Sequence, residues 1–438
     1  MKVFLGSIGC RLNQSELEIL ARELRAAGHE IVAAPEHARA AIINSCTVTA
    51  AAEADSRQLV HRLQRLGVGE IYLTGCWVSL DVVGEEPLPE GVFVVSNRDK
   101  MNIVQKYFDA TVDRKPDASG RVPLPGKAKR TRAFIKVQEG CDYHCTFCIT
   151  RVARGKSVSR PLHEIMKDIE AATIADVKEV VLTGTQLGGW GRDLPEKQTI
   201  AFLVNTILET TNIPRVRLSS IEPWDIHPDF FPLLTNPRFC AHLHLPLQSG
   251  ATNTLHRMRR QMLPVAFQTL VNKIRSFNPH IALTTDIVVG FPGENEEEFM
   301  ESLQFVQKMN FAGGHVFRYS QRAGTPAAEY PDQVPGLEKR ARNEQMRAVL
   351  QRSSDQYRDR FLHCTVPVLW ERAKKIGDAE WMMEGLSANY LRVQAQSNKD
   401  MWNMISLVEL TANAGKSMLG EIVSVEGEQS YRENINMV

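Results

Sequence analysis

A run of three cysteines constrains this chain more than any other feature. Residues 141–148 have the spacing Cys-x3-Cys-x2-Cys and directly follow an alternating, strand-like segment. Three thiolates this close in sequence suit one metal centre, and a four-iron cluster held by three cysteines leaves one iron open to another ligand. The alternative is a structural zinc site that uses His144 or a distant cysteine as its fourth ligand. In both cases the run predicts a metal-binding loop at the end of a strand.

Composition sets the broad class of protein. With 438 residues and 43% hydrophobic content, the chain can form several domains with buried cores. No apolar run approaches the roughly 18 residues of a membrane span, and the N-terminus lacks a signal-peptide pattern, so a cytoplasmic location without a membrane partner is expected. The formal charge of +1 means that any polyanion site depends on local clustering. We expect Cys240 and Cys364 to be buried bystanders, without a disulfide framework.

Residues 1–112 alternate between strand and helix patterns, which predicts a parallel α/β domain. Each of its three main strands ends at a cysteine, namely Cys10, Cys46 and Cys76. Because strand C-termini share one edge of an open parallel sheet, these cysteines should converge there. A lone cysteine at a strand end is most often just a small buried residue. Three such positions predict a second cluster site.

The middle of the chain contains six short strand-like runs separated by helical patterns, which predicts a partial parallel βα-barrel. The runs are 133–137, 179–182, 216–218, 242–245, 283–289 and 315–318. Chemistry in such barrels takes place in the loops after the strands, and here those loops are polar or rich in glycine. After the second, third and fourth strands they contain Gly184, Thr185, Gln186, Glu222 and Gln248.

The last part of the chain predicts a long charged helix over 335–360 and then a small antiparallel β-barrel. Its strands are predicted at 366–370, 390–393, 405–410 and 418–424. This segment is close to neutral, so aromatic side chains are its main candidates for RNA contact, although most of them should be core residues. They are Trp370, Trp381, Tyr390 and Trp402.

Two basic segments flank the cysteine run. Upstream, residues 127–136 form either a solvated linker or a phosphate contact. Downstream, Arg151, Arg154 and Arg160 follow closely on Cys148. Exposed charge is the ordinary interpretation, but arginine beside a cluster is well suited to gripping carboxylate or phosphate. We therefore predict that these three arginines bind an anionic substrate.

These motifs resemble a known family. The 141–148 run, with Phe147 before its last cysteine, is similar to the signature of radical S-adenosylmethionine (SAM) enzymes. The segments 9–16, 44–49 and 74–76 resemble the N-terminal domain of the methylthiotransferases, although Trp77 stands where relatives usually carry a small residue. The last segment resembles the TRAM domain, an RNA-binding module. The order of the three parts is specific to the methylthiotransferase family.

The resemblance implies a domain organisation and a set of cofactors. The predicted division is an N-terminal methylthiotransferase domain, a linker, a radical SAM core, a TRAM-like barrel and a tail, at 1–112, 113–126, 127–360, 361–425 and 426–438. It also implies two [4Fe-4S] clusters, one on Cys141, Cys145 and Cys148 and an auxiliary one on Cys10, Cys46 and Cys76. The SAM contacts implied are Phe147, Gly184, Thr185, Gln186, Glu222 and Gln248. A reductant such as flavodoxin or ferredoxin is an expected partner.

The implied reaction is methylthio transfer to C2 of a purine, whose hydrogen is not acidic enough for removal by a general base and therefore calls for a radical. In the family's mechanism, sulfur on the auxiliary cluster is methylated by one SAM, and a second SAM generates the radical. Residues 44–49, 137–141, 242–250 and 315–320 look most like the branch acting on N6-threonylcarbamoyladenosine 37, in the anticodon stem-loop of tRNA.

Other interpretations remain open from the sequence. Within the same chemistry, the substrate could be N6-isopentenyladenosine in tRNA or an aspartate of a ribosomal protein. From another class, the chain could be a non-catalytic RNA-binding protein with structural zinc, or an iron–sulfur electron carrier.

Overall fold

The computed structural model describes residues 1–46, 50–80, 89–108 and 131–425. Two compact units are present. The first comprises Met1–Asp176, Leu182–Lys197 and Arg322–Thr325, and the second comprises Val177–Val181, Gln198–Gln321 and Pro326–Val438. Several predicted features lie outside the described residues: the linker 113–126, the basic residues 127–130, the tail 426–438 and positions 47–49 of the 44–49 motif. The domain boundaries read from the sequence stay predictions.

The first unit begins with a five-stranded parallel sheet in the order β2-β1-β3-β4-β5. Its strands are β1 (Lys2–Ser7), β2 (Glu30–Val32), β3 (Ala40–Ser45), β4 (Glu70–Gly75) and β5 (Val92–Val94). Helix α1 (Arg11–Ala26) lies between β1 and β2, α2 (Ala50–Arg65) lies between β3 and β4, and the short α3 (Ile103–Tyr107) follows β5. The predicted parallel α/β arrangement is confirmed.

Hydrophobic patterning explains this sheet. Strand β3 is buried along its whole length, as expected for a central strand covered on both faces. Helix α1 packs Leu17, Leu20 and Leu24 against the sheet in a core that includes Tyr72. Because β1, β3 and β4 run parallel, the loops that carry the three N-terminal cysteines leave the sheet at the same edge.

The first unit also holds the cysteine run. Its elements are β6 (Arg132–Lys136), β7 (Gln138–Glu139), α4 (Thr150–Arg154), β8 (Val158–Ser159), α5 (Leu162–Ile174) and the end of β9 (Glu179–Thr183). Strands β7 and β8 pair antiparallel, so the cysteine loop leaves one strand of a small ribbon and α4 leads back to the other. Beside it, Val137 N–H donates to the Thr183 carbonyl at 2.9 Å.

The second unit contains the start of β9, the remaining barrel strands and five helices. The strands are β10 (Arg215–Leu218), β11 (His242–His244), β12 (Ala282–Val289) and β13 (Gly313–Arg318). The helices are α6 (Ile200–Thr210), α7 (Thr252–Arg257), α8 (Pro264–Phe277), α9 (Glu296–Met309) and α10 (Gly336–Asp359). Strands β11, β12 and β13 are parallel, and all six predicted central strands are present. Among the described helices, none combines the length and the apolar character needed to cross a bilayer.

A closed five-stranded barrel follows α10, in the order β14-β15-β16-β18-β17. Its strands are β14 (Thr365–Lys375), β15 (Trp381–Ser387), β16 (Arg392–Ser397), β17 (Ile405–Asn413) and β18 (Met418–Val425). The predicted small barrel is confirmed, but the prediction missed β15 and started the third strand at Tyr390. Tyr390 has a left-handed backbone with φ +67°, which places it in the preceding turn. The pair β16–β18 is parallel and the other pairs are antiparallel.

Two buried arginines of β10 hold the small barrel. Arg215 donates to the Leu386 carbonyl at 2.9 Å, and Arg217 donates to the Ser387 carbonyl at 3.2 Å. Arg217 also makes a bidentate pair with Glu179, at 2.7 and 3.1 Å. Both arginine residues are fully buried. The small barrel is therefore fixed within the second unit by charge-assisted hydrogen bonds to its backbone.

Candidate active site

The three N-terminal cysteines lie in the loops that follow β1, β3 and β4, at the sheet edge that the sequence predicts. Cys10 is the exposed N-cap residue of α1, whereas Cys46 and Cys76 are buried. Gly9 has φ +115°, and a Cβ there would lie 2.6 Å from Cβ and 2.9 Å from Sγ of Cys46. On the other side, Cys76 N–H donates to the Ser45 carbonyl at 3.1 Å. Glycine at position 9 therefore lets the β1 loop reach the β3 loop closely.

Asn13, which sequence reasoning did not assign to the site, joins two of these loops. Its Nδ2 donates to the carbonyls of Ile8 and Ser45, at 2.9 and 3.0 Å. The Cys10 thiol lies 3.6 Å from Asn13 Oδ1. Asn13 is fully buried, so its amide replaces the water that these loop carbonyls would otherwise need.

Arg154 links this edge to the cysteine run of residues 141–148. Its Nε donates to Cys76 Sγ at 3.2 Å, and its Nη2 donates to Asn13 Oδ1 at 2.6 Å. Its Nη1 donates to Glu16 at 3.1 Å and to Glu139 at 2.8 Å. Only 9% of the residue is exposed. All three guanidinium nitrogens thus have protein partners, which favours a positioning role over the predicted substrate contact.

The surrounding charges form a buried cluster of three cations and two carboxylates. Glu16 is fully buried and pairs with Lys100, Lys136 and Arg154. Glu139 pairs with the same three cations. Burial alone would raise the pKa of Glu16, but the three cations hold it well below its ordinary value. Burial would likewise raise the pKa of Glu139, but Lys136, Lys100 and Arg154 bring it below its ordinary value, so both carboxylates are ionised at neutral pH.

Arg154 of this cluster contacts a buried thiol, Cys76 Sγ. Burial raises the pKa of Cys76, the nearby Cys10 adds to the rise, and Arg154 opposes it. All six cysteines of the two sets lie outside disulfides. Within the described ranges, no three His, Cys, Asp or Glu side chains are already gathered as a metal site.

The donor chemistry of the N-terminal set fits an iron–sulfur group. Thiolates are the ligands that such clusters prefer, and hydrogen bonds to sulfur from surrounding residues tune them. Cys10, Cys46 and Cys76 supply three thiols, and Arg154 supplies the N–H donor at 3.2 Å from Cys76 Sγ. These residues would hold the group.

The second set lies in one loop whose shape depends on glycine. Gly140 has φ +74°, and a Cβ there would lie 1.8 Å from the Lys156 carbonyl oxygen, so only glycine fits. Cys148 N–H donates to the Cys145 carbonyl at 3.2 Å, which curls the loop tightly. Cys141, Cys145 and Cys148 are all partly exposed, and this set also fits cluster ligation.

The predicted SAM loop 184–186 packs against the cysteine loop. Gln186 Oε1 accepts from Asp142 N–H at 2.8 Å, and Gln186 N–H donates to Gln138 Oε1 at 2.8 Å. A Cβ on Gly184 would lie 2.9 Å from Gln138 Oε1. In contrast, Thr185 Oγ1 is buried and has no hydrogen-bond partner in the ranges that the structure describes. Gln186 therefore supports the loop, and Thr185 offers a hydroxyl to a ligand.

The other two predicted SAM residues of the barrel loops belong to the second unit. Both oxygens of Glu222 accept from Arg260, at 3.3 and 2.6 Å. Arg260 also lies over the Trp224 ring at 4.3 Å, so it fixes the carboxylate direction. Gln248 has an unusual left-handed backbone at φ +72°, and its N–H donates to the Asp286 carbonyl at 2.8 Å. Arg260 is a positioning residue that the sequence did not reveal.

The remaining predicted site residues differ in exposure. Phe147 is partly exposed within the cysteine loop. Arg151 is also partly exposed and contacts His144. Arg160 donates to the Lys136 carbonyl at 2.6 Å and to Asp168 at 2.8 Å. Of the three predicted arginines, Arg151 thus makes the fewest of the described hydrogen bonds to backbone carbonyls and carboxylates.

Comparison with known proteins now defines the class. The model of the radical SAM superfamily matches residues 135–306, and that of the uncharacterized protein family UPF0004 matches residues 2–86. A solved radical SAM methyltransferase, TsrM from Kitasatospora setae, shares the fold with a TM-score of 0.56. Its sequence identity is 14%, and the match covers 75% of each chain.

Curated relatives are more similar in sequence. Threonylcarbamoyladenosine tRNA methylthiotransferase MtaB of Bacillus subtilis is 33% identical over 417 residues, covering 92% of each chain. The MtaB of Thermotoga maritima is 35% identical over 399 residues, covering 89% of each chain. A tRNA-2-methylthio-N(6)-dimethylallyladenosine synthase of Clostridium tetani is 29% identical, covering 96% of each. The chain therefore belongs to the radical SAM methylthiotransferases, a family of enzymes, and within it to the MtaB branch.

Proposed function

We propose that this enzyme transfers a methylthio group to C2 of N6-threonylcarbamoyladenosine at position 37 of tRNA, in the anticodon stem-loop. The observation that carries the proposal is Arg154, which bonds Cys76 and lies six residues after Cys148 on the helix that follows the cysteine run. One buried side chain thus connects the N-terminal cysteine set to the helix that follows the 141–148 run. The nucleoside is the one after which the MtaB relatives are named.

In this proposal each cysteine set holds a [4Fe-4S] cluster, and SAM binds near the 141–148 loop. When bound, such clusters supply an electron to the SAM sulfonium and a place for the transferred sulfur. Thr185 and Glu222 are the proposed polar contacts to SAM that have the clearest structural basis. Gly184, Gln186, Gln248 and Phe147 complete the proposed SAM set.

The protein's own contribution is positioning. Arg260 fixes Glu222 through both carboxylate oxygens. Arg154 fixes the helix after the cysteine run against Cys76 and Asn13. Holding reacting groups in a set geometry removes much of the entropic part of a barrier, and both arginines act in this way. We propose Arg151, which is partly exposed, as a contact to the anionic substrate.

The division of labour between the two cysteine sets can be tested directly. Replacing Cys10, Cys46 and Cys76 together by alanine should abolish methylthiolation while reductive SAM cleavage continues. Nucleoside mass spectrometry and an anaerobic SAM-cleavage assay measure the two activities. The matched control is Cys364→Ala, which removes a thiol outside both sets and should retain both activities. Loss of SAM cleavage while the iron held by Cys141, Cys145 and Cys148 is retained would overturn the division.

The substrate needs a separate test. Nucleoside mass spectrometry of tRNA from a strain lacking the gene should show N6-threonylcarbamoyladenosine without its methylthio group. Loss of the methylthio group from N6-isopentenyladenosine, or from an aspartate of a ribosomal protein, would point to the other members of the family's chemistry. A tRNA substrate places the reaction in the cytoplasm, with flavodoxin or ferredoxin as the expected electron donor.

A further inference from the structure

Arg322 follows β13 and is a buried cation with spare donors. Its side chain is 13% exposed, and its Nη1 lies 3.4 Å from Glu53 Oε2. Its Nε and Nη2 are buried and have no hydrogen-bond partner among the residues that the structure describes. Sequence reasoning assigned no role to this residue.

A buried guanidinium in this state is unfavourable by itself. Removing an ion from water is unfavourable by several kcal/mol unless charge and hydrogen bonds replace the lost hydration. A single contact at 3.4 Å replaces little of it. The two spare nitrogens, Nε and Nη2, lie on one edge of the planar group, and that edge matches the two oxygens of a carboxylate or phosphate. The missing partner therefore has the chemistry of an oxyanion.

The neighbours of Arg322 place this edge near the N-terminal cysteine set. Glu53 lies on α2 and also pairs with Arg57 at 3.1 Å. The Arg57 guanidinium lies over the ring of Trp77, the residue after Cys76, at 5.6 Å. On the same helix, Ser56 Oγ lies 3.4 Å from the backbone N–H of the neighbouring Cys46.

The proposed substrate carries both kinds of oxyanion. Its threonyl group ends in a carboxylate, and the tRNA backbone supplies phosphates. We propose that Arg322 binds a substrate oxyanion through Nε and Nη2, and so positions the nucleoside beside the Cys10, Cys46 and Cys76 set. This inference rests on the proposed function, because it takes modified tRNA as the ligand. Glu53 acts as the positioning residue that holds the guanidinium from its opposite edge.

Binding is measured with the full-length, cluster-loaded enzyme and a tRNA anticodon stem-loop that contains N6-threonylcarbamoyladenosine. Arg322→Gln should weaken binding roughly ten- to hundred-fold, the range expected for a lost charge-assisted pair. Arg322→Lys retains the charge but not the two-pronged edge, and it should recover only part of the affinity. The matched control, Arg340→Gln, removes an exposed arginine of α10 and should leave the affinity unchanged.

A second stem-loop with the threonyl carboxylate converted to an amide identifies the source of the oxyanion. If the carboxylate is the partner, the wild-type enzyme binds the amide weakly and Arg322→Gln has no further effect on it. If a phosphate is the partner, the variant weakens binding of both stem-loops equally. Unchanged affinity of Arg322→Gln for both stem-loops would overturn the inference. Because binding is measured apart from turnover, a wild-type enzyme that binds but does not methylthiolate would count against the proposed function alone.

Discussion

Two arginines of the first unit, Arg154 and Arg322, are both largely buried and differ in how their donors are used. Arg154 bonds a thiol, an amide oxygen and two carboxylates. Arg322 has one long contact to Glu53 and two buried nitrogens that find no hydrogen-bond partner within the described part of the chain. A saturated guanidinium holds the protein together, whereas an unsaturated one has affinity to spare for a ligand. The pattern of partners, rather than burial or charge, separates the two roles.

The largest expected contrast between these arginines is in stability. Arg154→Met removes one of the three cations that pair with the carboxylates of Glu16 and Glu139. It should lower the free energy of unfolding by about 3–5 kcal/mol. Arg322→Met removes a charge that is poorly compensated in the free enzyme, and should change it by less than about 1 kcal/mol. Chemical denaturation of the two variants beside wild type measures the difference. Equal losses would show that partner saturation does not distinguish these sites.

The pH dependence of stability sharpens the same contrast. The folded-state pKa of Glu16 is depressed well below the ordinary value of 4.5, so its contribution is complete above 4.5. That contribution should be lost as the pH falls from 4.5 through the depressed pKa. Denaturation midpoints between pH 6 and pH 3 should fall in wild type, and Glu16→Gln should flatten this part of the curve.

Glu294 offers a matched control of opposite sign. Burial raises the pKa of Glu294 despite hydrogen bonds from Gly290 and Arg342. Its stabilising contribution is present below 4.5 and is lost as the pH rises through the raised pKa. Glu294→Gln should therefore leave the acid loss of stability in place. If Glu294→Gln abolished that loss and Glu16→Gln did not, the buried cluster would not be its source.

A smaller effect is expected on the electronic properties of the N-terminal site. Arg154→Gln removes a positive charge and an N–H donor next to Cys76, both of which favour the more negative, reduced form of a cluster. The midpoint potential of the cluster proposed at Cys10, Cys46 and Cys76 should therefore become more negative in this variant, as measured by an EPR-monitored redox titration. Arg160→Gln, which changes an arginine bonded to Asp168 and the Lys136 carbonyl, should leave the potential unchanged. A shift of the same size in both variants would mean that the contact to Cys76 is not the cause.

The smallest expected change concerns Arg151, which is partly exposed. Arg151→Ala should leave stability within about 0.5 kcal/mol of wild type, as for most surface substitutions. It should weaken stem-loop binding less than Arg322→Gln does, because exposed ion pairs contribute little. If Arg151→Ala lost more binding affinity than Arg322→Gln, the main contact to the substrate anion would lie beside the cysteine loop and not at Arg322.

The sequence predicted features that depend on local order along the chain. Cys10, Cys46 and Cys76 could be placed together because each follows a strand and parallel strands end at one edge. The roles of Glu16 and Arg154 could not be predicted, since their partners are far apart in sequence and only burial shows that they meet. A signal was present in α1, where Asn13 and Glu16 follow Cys10 at helical spacing.

The small barrel shows a second limit of prediction from sequence. Its closure was predicted from short strands and polar turns, but β15 was missed because Glu384 and Gly385 interrupt its apolar pattern. The bonds from Arg215 and Arg217 to its backbone carbonyls leave no trace in the sequence of the barrel. Backbone acceptors are present at every residue, so side-chain identity does not mark the ones that a distant arginine uses.

Those two arginines also determine how the chain can be engineered. Cutting the protein after α10, to ask whether the small barrel carries RNA affinity, would strip Arg215 and Arg217 of carbonyl partners and expose the packed faces of Tyr357 and Phe361. Such a truncated protein would lose activity through misfolding whatever the barrel's role. Exchanging the barrel for that of a relative would succeed only if the graft presented carbonyls at the same places. Point substitutions on its outer surface are the cleaner way to map an RNA contact.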